Sequence, residues 1–558
     1  MAASDSVAIT SDGSLRRRRA WLLALVATST AFRLFLAWRT FLNPDEALHY
    51  FVAAQPSFGA AYKASLTMAH PPLMIFLLHG WFRFGTSEFF LRLPFVFAGI
   101  LFCWVMFLWM KQFADQCAAC FMLALFLFLP PLISLSAEVR QYTLLLLFCS
   151  LCLYFVEVGL AKNSVAWIAT SAAALYLALL THYSALIFAA AAGVYGLLRL
   201  TRLDTSRGVK ITWLAGQVGA LGIIAFLFGS QISPLRRNGV PAEIADTWLS
   251  SSIFHPGQDH FFTFVVAKTV RLFRYFFSHG TIGTLGLLLF FLGLVMLFRR
   301  GKSALTLLLV LPFVITCATA VAGVYPYGGT RHDVLLVVFA IPAIAVGLDT
   351  LKLEAVGIRW RRMKALLLVI GLFLCNAFPS PSGPTIRPRN QDRRLMAQAM
   401  DFLRSQPPQS TLVTDYQGGL VLSYYLCGKT SSLPFGQNSD QVFKWRCGGN
   451  VVLTSMRTQQ GFDLTELPQV IDQARHSVSD AQPLVLFQAG WIEDKQRGWL
   501  AALRQSGCDD MRDFGPNIRI CRISGPRNRS PAVSTSARKL KPVSGLNAFR
   551  FDDVVAVP

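Results

Sequence analysis

Apolar runs the length of a bilayer crossing recur along most of this chain, and that repetition limits what it can fold into. A hydrocarbon core takes about 20 apolar residues per helix. By that rule the runs near 20–40, 89–110, 113–133, 141–159, 164–181, 183–199, 210–231, 281–298, 303–324, 333–350 and 364–379 predict about eleven transmembrane helices. Composition agrees. Of the 558 residues, 54% are hydrophobic and 15% charged, against about 25% charged in a soluble chain. The expectation is an α-helical polytopic membrane protein.

The net charge of +22 does not point to nucleic acid. The basic residues sit in short clusters between apolar runs, as in cytoplasmic loops. Arg16 to Arg19 before the first run could open a signal peptide, but the run is long and carries Arg33 and Trp38. It reads as a retained first span with residues 1–19 inside. Counting from there, the inside connections are Lys111–Asp115, Lys162, Arg199–Lys210, Arg299–Lys302 and Lys352–Lys364, and the longer ones are strongly basic. The outside connections are 41–88, 134–140, the neighbourhood of 182, 232–280, 325–332 and everything after 380. The reading is a multi-pass inner-membrane protein, cytoplasmic at its N-terminus and extracytoplasmic at its C-terminal part.

Two further apolar stretches are not spans. PPLMIFLLHGWFRF (71–84) is too short and fits an interfacial or re-entrant helix. HFFTFVVAKTVRLFRYFFS (260–278) carries Lys268, Arg271 and Arg274 at near-helical spacing and fits an amphipathic surface helix.

After the transmembrane region, 20–380, the character changes. TLVTD (411–415), NVVLTSM (450–456), PLVLFQAG (483–490) and IRICRI (518–523) read as strands, and 391–405 and 495–506 as helices. Residues 385–525 are expected to form an extracytoplasmic α/β domain, followed by a disordered tail, 526–558. Its four cysteines, Cys427, Cys447, Cys508 and Cys521, allow one or two disulfides outside the cytoplasm. The other seven lie in or beside apolar runs and read as small core hydrophobes.

The unusual polar residues gather on one side. FLNPDEALHY (41–50) follows the first span directly, and acids there need a reason. Lys63, AHPPL (69–73), SAEVRQY (136–142), THYS (181–184) and YPYGGTRHD (325–333) fall on the same face. Each has a structural reading of its own. Asp45 and Glu46 suit a helix N-terminus after Asn43–Pro44. Arg140 could snorkel, His70 could be a loop residue, His182 a turn, and Arg331–His332 an end-of-span cluster. Arg33, inside a span, is a functional suspect unless a nearby acid satisfies it. Together the five segments suggest a reaction site.

In this order, FLNPDEALHYF, AHPPL, SAEVRQY, THYS and YGGTRHD resemble the GT-C membrane glycosyltransferases. Most similar is the bacterial glycosyltransferase family 39 group, related to protein O-mannosyltransferases and to the aminoarabinose transferase of lipid A. The resemblance covers about residues 15–350. It implies transfer of a sugar from a polyprenyl-phosphate donor to a lipid, glycan or protein acceptor outside the cytoplasm. Asp45–Glu46 match the family's acidic motif in the first outer loop, and His70–Leu73 match its HPPL-like segment.

Such chemistry suits these residues. The leaving phosphate gains a second negative charge as the glycosidic bond breaks, and cations placed there lower the barrier. Arg140 and Arg331 are the first candidates, because a guanidinium fork matches phosphate. Lys63, His70 and His332 come second. Asp45 is the first candidate for general base toward the acceptor hydroxyl and Glu46 the second, and one base with direct displacement implies inversion. The acid not acting as base would bind a sugar hydroxyl or a divalent cation. His49, Tyr142, His182 and Tyr183 complete the expected substrate contacts. A divalent cation could find ligands in Asp45, Glu46, His49 and His70, but no spacing resembles a dedicated zinc site. No required cofactor is expected. A transporter or flippase for a lipid-linked saccharide is the alternative; its usual internal repeat and midplane polar groups are not evident. A non-catalytic scaffold is a third reading.

Overall fold

The long apolar runs fold as helices because lipid offers no partner to an unpaired backbone group. The computed structural model describes residues 3–237, 249–351, 357–378, 391–407, 410–431, 433, 442–447, 449–455, 467–476, 484–490 and 507–523. Among the described residues, eight helical stretches are long and apolar enough to cross a bilayer: Ala20–Arg39, Glu88–Met110, Tyr142–Ala161, Ala185–Arg202, Arg207–Arg237, Gly280–Arg299, Ser303–Val321 and Arg331–Thr350. The run expected at 113–133 is a broken pair, Gln116–Phe128 and Pro130–Ser136, bent by 56°. The runs expected at 164–181 and 364–379 are shorter apolar helices, Val165–Leu179 and Met363–Ala377. Against the expected count of about eleven, eight helices among the described residues pass by length and composition, or nine with the broken pair. A fifteen-residue helix rises only about 22 Å, short of the ~30 Å hydrocarbon core.

Helix α1 (Ala3–Arg39) leads into α2 (Pro44–Ala53), and α3 (Phe58–Ser65) and α4 (Leu73–Trp81) follow before the long α5 (Glu88–Met110). Helix α4 is the short helix expected within 71–84. The surface helix expected at 260–278 is Phe261–Phe277, with Phe262 and Val266 exposed and Phe264, Leu272 and Phe273 buried.

The break between α6 (Gln116–Phe128) and α7 (Pro130–Ser136) has a local cause. A residue before proline is driven out of the helical region, and Leu129 is extended at φ −65°, ψ 124°. The carbonyls stranded there are met by Arg33. Its Nη1 donates to Leu127 O at 2.8 Å and its Nη2 to Phe126 O at 3.4 Å, while Nε reaches Ser136 Oγ at 3.2 Å. This buried arginine is satisfied by a helix break, with no acid among its described contacts.

One end of the helical part collects the segments read above as outward-facing. Leu73 N–H donates to Leu180 O at 3.0 Å, Tyr327 N–H to Ser252 O at 2.8 Å, and Gln231 Nε2 to the carbonyls of Ser65, Met68 and His70. The opposite end holds the Arg199–Glu157 ion pair at 2.8 Å, the Ser206–Asn163 bond and the Arg202–Ser303 bond.

The C-terminal part forms a six-stranded mixed sheet, ordered β2-β3-β1-β4-β6-β5. Its strands are β1 (Thr411–Asp415), β2 (Val442–Cys447), β3 (Asn450–Ser455), β4 (Leu484–Ala489), β5 (Cys508–Asp513) and β6 (Ile518–Ile523). Central β1 runs parallel to β3 and β4; the outer pairings β2–β3, β4–β6 and β5–β6 are antiparallel. Four strands match the expected runs. Strands β2 and β5, VFKWRC and CDDMRD, are too polar to stand out by hydrophobicity, and the helix Tyr416–Tyr425 was also not foreseen. Disulfides join Cys427 to Cys447 and Cys508 to Cys521. The helix expected at 495–506 and the tail 526–558 lie outside the described residues.

Candidate active site

The acidic turn is built by a capping box. Asn43 Oδ1 accepts from Glu46 N–H at 3.0 Å, and Glu46 Oε2 accepts from Asn43 N–H at 3.0 Å, with Pro44 opening α2. Glu46 is then drawn inward. Its Oε1 takes Arg92 Nε at 2.7 Å and Val139 N–H at 2.8 Å, and its Oε2 takes Arg92 Nη2 at 2.6 Å. Glu46 is 1% exposed, so both oxygens are committed to holding the structure together. The adjacent Asp45 faces the other way. It pairs with Arg140 and, at 3.2 Å, with Arg331, and its side chain remains 23% exposed.

Residues from three distant segments therefore meet at one carboxylate. Arg140 is placed by Val139, whose N–H goes to Glu46 and whose carbonyl meets His49 Nδ1 at 3.0 Å. Arg331 is presented by a turn that Asp333 ties down, accepting from Gly329 N–H at 3.0 Å and Thr330 N–H at 2.9 Å. Gly329 sits at φ +86°, and a Cβ there would come within 2.7 Å of Arg271 O, so this turn needs glycine. Glu138 stands beside the cluster, 3.8 Å from Arg140 Nε. Burial, and then the charge of Glu46, push its carboxyl up to about 7.

The histidines form a neutral layer. A carbonyl only accepts, so His49 Nδ1 carries the proton toward Val139 O. Its Nε2 then accepts from His70 Nε2 at 3.3 Å. Burial holds His49 down at about 4 and His70 at about 3. His182 Nδ1 accepts from Ser184 N–H at 3.1 Å, and burial holds it at about 3. Its ring lies 5.3 Å from Tyr142 and 6.3 Å from His332, and Tyr142 and His332 are also 6.3 Å apart.

The structure thus joins Asp45, Arg140 and Arg331 directly and surrounds them with His49, His70, Tyr142, His182 and His332. It does not bring Lys63 in: that side chain is exposed on α3, with no ion pair to the cluster among the described residues. Tyr183 is half-buried beside His182, its hydroxyl without a partner among the described residues. Arg92, Glu138 and Asp333 were not singled out as site residues. Arg92 carried a usable signal, as an ionisable residue inside a predicted span. Among the described residues, no group of three or more His, Cys, Asp or Glu side chains is placed to hold a metal ion.

A family model described as dolichyl-phosphate-mannose-protein mannosyltransferase matches residues 69–228. The apo crystal structure of ArnT from Cupriavidus metallidurans aligns over 92% of this chain and 100% of its own, with TM-score 0.51 and 14% identity. The fold is that of the GT-C membrane glycosyltransferases. The same ArnT bound to undecaprenyl phosphate aligns over 91% of this chain and 99% of its own, with TM-score 0.50 and 15% identity. No curated protein matches the chain in sequence. Within this GT-C fold, the Asp45 cluster lies where the first loop meets two later connections at one end of the helices.

Proposed function

We propose that this GT-C chain moves a sugar from a polyprenyl-phosphate donor to a hydroxyl-bearing lipid, glycan or protein acceptor on the extracytoplasmic face of the inner membrane. The observation that carries the reading is the Asp45 carboxylate clasped between Arg140 and Arg331. Two guanidinium groups converging on one half-buried carboxylate make a phosphate site. When the donor phosphate arrives it takes over these two cations, and Asp45 is released from them. The freed carboxylate then accepts the acceptor's proton as the hydroxyl attacks the anomeric carbon, and the arginines neutralise the charge growing on the leaving phosphate. Displacement from the opposite face inverts that carbon. Undecaprenyl phosphate, the ligand bound to ArnT, is the natural first carrier to try.

The test is transfer of radiolabelled sugar from a panel of polyprenyl-phosphate donors in proteoliposomes, comparing wild type with Asp45→Asn. Wild-type transfer with at least a hundredfold loss in the folded variant supports the assignment. Full activity in the variant removes Asp45 as base. No transfer from any donor overturns the reading and directs the next assay to lipid-linked saccharide flipping.

A further inference from the structure

The link that carries the chain from the first span to Asp45 is gripped from two sides. Its acceptors face Arg92, whose Nη1 donates to Ala37 O at 2.9 Å and Thr40 O at 2.7 Å, and whose Nη2 donates to Phe41 O at 2.9 Å. Its donors face the C-terminal domain. Phe41 N–H donates to Gln391 O at 2.9 Å, and Leu42 N–H donates to Tyr425 Oη at 2.7 Å. The next donor, Asn43 N–H, belongs to the capping box. Every N–H from Phe41 to Asn43 is therefore assigned, and two of the three partners, Gln391 and Tyr425, come from the far C-terminal part of the chain.

Tyr425 is itself oriented. Its hydroxyl proton goes to Glu88, which leaves a lone pair facing Leu42. Around it the domain is anchored by Tyr424 Oη to Thr86 O at 2.7 Å, by Lys429 Nζ to Thr86 O and Oγ1 at 2.9 Å, and by the Arg39–Asp392 ion pair at 2.5 Å. At Gly490 a Cβ would come within 2.7 Å of Pro44 Cγ, so the end of β4 lies directly against the first residue of α2.

We propose that Tyr425 is a positioning residue for Asp45, and that the C-terminal domain is through it a structural part of the reaction site. Pro44 has no N–H, so the start of α2 is registered against Arg140 and Arg331 by the hydrogen bonds just upstream. Loss of the Leu42–Tyr425 bond lets that start drift, and misplacement by about 1 Å can cost a hundredfold in rate. This rests on the reading of the Asp45 cluster as the site of sugar transfer.

The experiment uses the full chain in proteoliposomes, with Tyr425→Phe and Lys429→Ala as the pair. Tyr425→Phe is expected to lower kcat at least about tenfold with the donor KM unchanged, and to speed hydrogen exchange at the Leu42 amide. Lys429→Ala, which releases Thr86 and the face of the Tyr424 ring but keeps the Tyr425–Leu42 bond, is expected to leave both at wild-type values. Wild-type kcat or unchanged Leu42 exchange in Tyr425→Phe overturns the proposal, as does an equal loss in Lys429→Ala. If Tyr425→Phe does not fold, Glu88→Gln takes its place; it keeps an acceptor for the tyrosine and should give a smaller kcat loss in folded protein, full kcat overturning the idea. If wild type transfers no sugar, the functional reading fails by itself, and the exchange comparison still decides whether Tyr425 holds the link.

Discussion

Arg92 and Glu46 form a two-armed ion pair in the interior, Nε to Oε1 at 2.7 Å and Nη2 to Oε2 at 2.6 Å, each side chain 1% exposed. The pair joins α5 to α2, and its other bonds reach the backbone of Ala37, Thr40, Phe41, Asn43 and Val139. It is the joint on which the acidic turn is mounted. Its two neighbours along the chain, Asp45 and Ala47, point respectively into the site and into the core.

Breaking such a pair leaves a buried charge without its counter-ion, at a cost of about 3–5 kcal/mol. Arg92→Ala and Glu46→Gln are both expected to lower the thermal unfolding midpoint in detergent markedly. Arg92→Lys is expected to rescue little, because an ammonium cannot serve two carboxylate oxygens and three carbonyls in one plane. An unchanged midpoint in Glu46→Gln would return Glu46 to the list of candidate bases.

Arg33 yields a second stability prediction. Replacing it with Met removes the donor from Phe126 O at the proline break and leaves Leu127 O to Ser29 Oγ alone. A buried acceptor left unpaired costs about 1–3 kcal/mol. The expected result is a lower unfolding midpoint with a donor KM close to wild type, because α7 still connects to Arg140 through an intact chain. A raised midpoint in Arg33→Met would show that the guanidinium is a burden there.

How much of this was legible in the sequence follows from the physics of each signal. Apolar length is local, so every expected span found a helix, and only the two shortest and the Pro130–Pro131 break changed the count. The gathering of Asp45, Arg140 and Arg331 was also readable, because sidedness follows from counting spans. The division of labour between Asp45 and Glu46 was not. Adjacent residues on a helix point about 100° apart, and only the position of Arg92, 46 residues on, decides which acid is buried. Lys63 misled for the same reason, since side of the membrane does not set distance within that side. Strands β2 and β5 escaped because edge strands carry charge, as Lys444, Arg446, Asp510 and Arg512 do here.

Chelation provides a third test. His49 Nδ1 is bound to Val139 O, its Nε2 faces His70, and Asp45 is held by two cations. A metal entering here would displace these contacts and stand beside two guanidinium groups. We therefore expect transfer to survive EDTA dialysis within about twofold, and added Mn²⁺ or Mg²⁺ to give no more than that. Loss on EDTA with recovery on one ion would require the arginines to move apart.

The pH dependence of transfer should report Glu138. Its carboxyl titrates at about 7 because burial, and then the charge of Glu46, disfavour ionisation. Below that value Glu138 is neutral and Arg140 is left to Asp45 or to phosphate. Above it, a second carboxylate appears 3.8 Å from Arg140 Nε and competes for that charge. The sign follows: transfer should fall as pH rises through about 7. Stability should move in the same direction but in a lower window. The unfolded chain releases this proton near 4.5 and the folded chain near 7, so unfolding becomes easier as pH rises between them, by at most about 1.4 kcal/mol per unit. His49, His70 and His182 are already neutral throughout that range and contribute no inflection. Glu138→Gln, which fixes the neutral form, should flatten the descending limb of the profile and hold activity near its low-pH value. A descending limb that persists unchanged in Glu138→Gln would assign the titration to another group, the donor phosphate first.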